Sequence, residues 1–261
     1  MIQEINATIT QKQLCDCIRI FLNDAPENTD LDGRFRSWEH CYAVFGEKLK
    51  HLPLSDTGMD GVERYSTDVD FLAVHLAFYL ASWGMYRGSS FLLQKDYSIH
   101  KEPIRLIAEK YAWIYGQYPS NPKAVSNLYS ALDKLYRVVV RTKQGEEKER
   151  IGSPTLLTKI MLGTLGCIPA FDRYLKSALS HVIGLAQCPQ NLTKKNIEKV
   201  VGILNDYTEL SDFKNLQKEF SDFPPMKLLD VGLWAIGYTL DTTESKEDPK
   251  FLKQLRKIID I

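Results

Sequence analysis

At 261 residues, 44% hydrophobic and 25% charged, the chain has the composition of a soluble globular protein with length enough to bury a sizeable core, which excludes a disordered one. Lys plus Arg and Asp plus Glu both number 33, so the chain lacks the global basic excess that advertises nucleic-acid binding. The charge is uneven, however: residues 101–200 hold 16 Lys/Arg against 8 Asp/Glu, while the other 161 residues hold 17 against 25. Such a basic middle segment makes either a binding face or one half of an electrostatically paired set of lobes.

Five cysteines (Cys15, Cys17, Cys41, Cys167 and Cys188) form no C-x-x-C pair, and their odd number argues against a disulfide framework. The opening residues lack the basic start and apolar run of a secretory signal, so a cytoplasmic location is expected. The longest apolar run, Phe71 to Tyr86, is short for a membrane span and contains His75; a buried core helix is expected there, and no membrane partner.

Helical periodicity runs almost throughout. "TQKQLCDCIRIFL" opens with Thr10 and Gln13 at capping-box spacing and sets Leu14, Ile18 and Leu22 on one face. "RFRSWEHCYAVFGEKL" follows as a second helix. "TDVDFLAVHLAFYLASWGMY" has a second box, Thr67 and Asp70, and is apolar nearly all round, which predicts a central helix. "EPIRLIAEKYAWIYG" stops at Gly116, and "SNPKAVSNLYSALDKLYRVVV" starts with Pro122 in the first turn. The β-branched cluster "YRVVVRT" continues that helical pattern. "RTKQGEEKER" reads as a solvated loop or frayed helix end, and 141–152 is the candidate boundary if the chain divides into two lobes.

Ser153 and Pro154 then open "SPTLLTKIMLGTLG", and Asp172 caps "DRYLKSALSHVIG". "TKKNIEKVVGILNDY", "LSDFKNLQKEF" and "PPMKLLDVGLWAIG" complete the set before a charged tail and a short amphipathic end piece. The expectation is an all-α protein of about ten helices, in one compact domain over 1–261 or in two intimate lobes.

Several chemistries are excluded by the absence of their motifs. The glycines are scattered singly, without a P-loop or dinucleotide pattern, and no G-x-S-x-G elbow exists. The histidines (His40, His51, His75, His100 and His181) lie far apart in sequence, and His40 beside Cys41 points the two side chains away from each other on a helix. His75 reads most simply as a hydrogen-bonded core histidine. No metal and no cofactor are expected.

The stretch that does suggest chemistry is "SPTLLTKIMLGTLGCIPAFDRYL", residues 153–175. Lys159 stands among Leu156, Leu157, Ile160, Met161 and Leu162, and an amine shielded from water by such neighbours can serve as a nucleophile. Asp172 opens the next helix, where the dipole favours the anion. Equally, aspartate is a preferred helix cap, and lysines commonly lay their stems along apolar surface with the charge in water.

A lysine-bearing helix, a short apolar connection, then proline, aspartate and another helix resembles the helix-hairpin-helix DNA glycosylase superfamily, in its 8-oxoguanine glycosylase branch. The resemblance covers at most residues 120–238. It implies an all-α protein of two lobes with the site between them, Lys159 as nucleophile, Asp172 as the activating carboxylate, and DNA along the basic middle segment. The glycine-rich hairpin of that family is represented here by "ERIGSPTLLTK", with the single glycine Gly152, and the four-cysteine cluster of the endonuclease III branch is missing.

Two more clusters stand out, the first a substrate-binding candidate or a packing feature and the second a structural one. "SWGMYRGSSF" concentrates Trp83, Tyr86, Arg87, Ser89 and Ser90, in which an aromatic ring and an arginine would stack a base or a sugar. Arg173, beside Asp172, joins that set. "MKLLDVGLWAIG" places Asp230 and Trp234 four apart on an apolar helix, and Asp230 requires a partner, for which Arg87 or Lys159 would serve. Two functions follow as expectations: a glycosylase acting on a flipped-out base, or a non-catalytic helical protein that binds a partner protein or nucleic acid.

Overall fold

The computed structural model describes residues 8–24, 34–49, 58–88, 90–142, 144–245 and 248–260. His51 and Ser89, named above, lie outside them, as do Lys246 and Glu247 of the charged tail. The described chain is mostly α, with eleven α-helices and one two-stranded sheet. It separates into two units, the first comprising Met1–Asp32, Tyr118–Pro122 and Ile168–Ile261, the second Gly33–Gln117 and Lys123–Cys167.

In the first unit, α1 (Gln11–Asp24), α7 (Arg173–Leu179), α8 (Ile197–Thr208), α9 (Ser211–Glu219), α10 (Pro225–Asp241) and α11 (Lys250–Ile259) surround an apolar core. The capping box forms as its spacing predicts: the Thr10 amide donates to Gln13 Oε1 at 2.9 Å, and the Gln13 amide donates to Thr10 Oγ1 at 3.3 Å. Leu14, Ile18 and Leu22 are all buried. α10 packs against α7 and α1, and it is buried along most of its length. α7 is shorter than its pattern suggests, because the chain turns after Leu179 and Val182 makes a parallel bridge to Ile9. Trp234 stacks on Tyr238 with centroids 5.0 Å apart, and Tyr174 and Phe21 meet it edge-on.

In the second unit, α2 (Arg34–Leu49), α3 (Gly58–Ser82), α4 (Lys101–Leu106), α5 (Pro122–Leu135, its first residue in the other unit) and α6 (Pro154–Leu165) carry the core. α6 is the central element here: every residue from Leu156 to Leu165 is buried, and the Trp38 indole donates to the Leu162 carbonyl at 3.1 Å. Its ends follow the sequence, with Ser153 Oγ accepting from the Leu156 amide and Gly166 closing the helix at φ 64°.

Several expectations about local structure are corrected. Thr67 and Asp70 are interior residues of α3, which begins at Gly58, so they form no box at a helix start. α3 is also not central: it buries Val69, Leu72, Leu76 and Leu80 but exposes Phe71, Val74 and Phe78 along another face. "YRVVVRT" leaves the helical pattern after Leu135, and "RTKQGEEKER" is not a plain loop. β1 (Val138–Arg141) pairs antiparallel with β2 (Glu147–Arg150), because three consecutive β-branched residues favour the pleated backbone once Tyr136 has ended the helix. "EPIRLIAEKYAWIYG" changes pitch as well, from α4 to a π turn over Ile107–Tyr111 and a 3-10 turn over Ala112–Ile114, before Gly116 closes it at φ 72°.

Among the described residues, no helix is long and apolar enough to cross a membrane. The five cysteines are free and buried, and burial pushes each thiol up.

Candidate functional site

α3 ends in a tight turn: the Gly84 amide donates to the Ala81 carbonyl, the Met85 amide to that of Leu80, and Gly84 stands at φ 73°. A side chain at Gly84 would meet Arg87 Nε at 2.8 Å, so the arginine lies folded across the glycine. The Trp83 carbonyl, just past the end of α3, accepts a hydrogen bond from Lys159 Nζ at 3.0 Å. The same ammonium stands 5.4 Å from the centroid of the Trp83 ring.

Two residues 76 apart in sequence, each singled out there for a different reason, are thus brought together within the second unit. Lys159 is 5% exposed and Trp83 is half-buried. The carboxyl end of a helix carries negative potential, so a cation reaching it from a neighbouring helix stabilises both. A shielded amine beside an aromatic face is also an arrangement that can receive a flat ring and react with what the ring is attached to.

Asp172 lies in the first unit. Its Oδ1 accepts from the Tyr174 and Leu175 amides at 3.0 Å each, capping α7. Arg173 points outward, its guanidinium over the Tyr174 ring at 4.5 Å and 3.2 Å from Asp241 Oδ2. Asp230 is partnered by neither Arg87 nor Lys159. Its Oδ2 takes the Lys227 ammonium at 2.9 Å and its Oδ1 accepts from the Ala170 amide at 2.9 Å.

Tyr86, grouped by sequence with Trp83 and Arg87, goes elsewhere. Its hydroxyl bonds His100 Nε2 at 2.8 Å, and His100 Nδ1 bonds the Tyr136 hydroxyl at 2.6 Å. Burial lowers His100 to about 4 and raises Tyr86 to about 12, so both are neutral near neutrality. Nothing in the local sequence signals this relay, since its members come from three separate segments.

His75 is half-buried rather than a core residue, and its Nδ1 stands 3.0 Å from His40 Nε2 across α2 and α3. Sequence separation hid the pair. Among the described residues no group of three or more His, Cys, Asp or Glu could hold a metal ion. The basic middle segment falls partly in each unit. α5 and α6 are joined through the β-hairpin rather than through a glycine turn. Comparison with protein-family models, with curated proteins and with solved structures finds no match to this chain.

Proposed function

We propose that the chain is a base-excising DNA glycosylase or a close relative, with Lys159 as its amine nucleophile. The observation that supports this is the Lys159–Trp83 contact: an amine shielded by an apolar helix, set against an aromatic ring on which a flipped base would stack. In that chemistry the deprotonated amine attacks C1′, the N–C1′ bond forms as the glycosidic bond breaks, and the base leaves with the bonding pair and takes a proton from water. The attached nitrogen then passes one proton to the ring oxygen as the C1′–O4′ bond breaks, and the opened sugar is an iminium that borohydride reduces. Asp172 as the activating carboxylate is carried over from the resemblance; the proposal rests on Lys159.

The test is borohydride trapping of the purified chain on duplexes bearing 8-oxoguanine, uracil or an abasic site. An adduct that disappears in Lys159→Ala supports the reading. Absence of an adduct on all three duplexes removes it.

A second reading, a non-catalytic protein that self-associates, is favoured by the exposed stripe Phe71, Val74 and Phe78 on α3. Its rim carries both signs in pairs. Lys48 holds Asp68 and lies over the Phe71 ring, and Lys101 holds Asp70 and lies over the Tyr97 ring. That rim attracts neither a strongly acidic nor a strongly basic partner, but it complements a second copy of itself. Sedimentation of the wild type and of Phe78→Lys decides it: a dimer that becomes a monomer supports the reading, and a monomer in both ends it.

A further inference from the structure

We propose that His40 and His75 form a two-imidazole site for a divalent transition ion, copper or nickel before zinc. The site is independent of both functional readings. His40 Nε2 and His75 Nδ1 are 3.0 Å apart, on two helices whose packing fixes their separation. With metal–nitrogen bonds of about 2.05 Å, two ligands at a right angle stand about 2.9 Å apart and two at the tetrahedral angle about 3.3 Å. The observed separation is close to the right-angle case, the geometry that copper and nickel prefer with nitrogen donors.

Both rings can reach an ion from solvent, since His40 is exposed and His75 half-buried. The Phe71 ring, 4.2 Å from that of His75 between centroids, steadies the second imidazole from the side. The neutral pair shares one N–H···N bond, so one of the two facing nitrogens carries a hydrogen. Ligation moves that hydrogen to the other nitrogen of the same ring, leaving both facing nitrogens bare, with no net change in protons. Two ligands leave the remaining positions to water or to a donor on an incoming molecule.

Copper, nickel and zinc chlorides would each be titrated into the chelator-treated full chain, with calorimetry for affinity and, for copper, electron paramagnetic resonance for nitrogen ligation. The expected result is one site per chain, tightest for copper, with affinity falling at least roughly tenfold in His40→Ala and in His75→Ala, since loss of a direct ligand costs no less than loss of an outer-shell partner. His181→Ala should bind as the wild type does. Circular dichroism of the metal-free variants checks that they fold, and His40→Ala is the safer of the two because its ring is exposed. Binding that survives in both folded variants, or no binding at tenfold molar excess of copper, overturns the proposal.

Discussion

Lys227 and Asp230 form an ion pair in the interior of the first unit, with side chains 1% and 6% exposed and 2.9 Å between Nζ and Oδ2. One turn of α10 supplies both charges, and the second carboxylate oxygen fixes the Ala170 amide in the connection before Asp172. Removing one member leaves the other's charge buried without its counter-ion, which costs about 3–5 kcal/mol, whereas replacing both with apolar residues of similar size removes the desolvation penalty along with the attraction. Asp230→Leu should therefore unfold at much lower denaturant than the wild type, and Lys227→Met/Asp230→Leu should recover most of the loss. Urea melts of the three proteins give the answer. Equal destabilisation in the single and double variants would mean that the Ala170 contact, and not the pair, is what matters.

That pair also marks where sequence reasoning ends. Helix caps are relations between residues two or three apart, so Thr10, Ser153 and Asp172 could be assigned from spacing alone, and their hydrogen bonds form as expected. α6 and α10 are also apolar in sequence, and the structure buries both along most of their length. Equal apolarity misplaced α3, because hydrophobicity does not say which of two similar helices is surrounded. β2 is invisible in sequence: Glu147–Arg150 is four charged, exposed residues whose strand conformation comes from pairing with β1. Lys159 and Trp83, His40 and His75, and the Tyr86–His100–Tyr136 relay all join segments that only the packing of the second unit brings together.

Asp172 separates capping from catalysis. Asparagine caps a helix about as well as aspartate, while alanine at such a position costs roughly 1 kcal/mol. Asp172→Asn should melt within a degree or two of the wild type and Asp172→Ala measurably lower, read by differential scanning calorimetry. If the carboxylate also serves the glycosylase chemistry, Asp172→Asn loses the borohydride adduct while keeping its stability. An unchanged adduct leaves Asp172 as a cap alone.

Gly237 sets how closely α10 approaches α7. A Cβ there would lie 2.0 Å from the Tyr174 carbonyl oxygen, a main-chain atom that cannot swing aside. Gly237→Ala must therefore push the helices apart, and such overpacking costs about 1–3 kcal/mol or more. Gly202, inside α8, has nothing within 4 Å of its would-be Cβ. There alanine gains helix propensity, about 0.5–1 kcal/mol. Opposite shifts in melting temperature are expected, downward for Gly237→Ala and upward for Gly202→Ala. Shifts of the same sign would contradict this account of the crossing.

His100 predicts how stability changes with acid. It is fully buried between the Tyr86 and Tyr136 hydroxyls, and burial lowers it from an ordinary 6.5 to about 4. Between those two values the unfolded chain binds a proton that the folded chain refuses, so stability falls as the pH drops through that window. It is fully present above about 6.5 and has lost its whole increment below about 4, on the order of 3 kcal/mol. Chemical melts at half-unit steps from pH 7.5 to 4 should show the decline. In His100→Gln, whose amide also offers a donor and an acceptor to the two phenols but does not titrate, the part of the slope between pH 6.5 and 4 due to this residue should vanish. An unchanged slope in that variant would transfer the acid sensitivity to other groups and leave the His100 relay without thermodynamic weight.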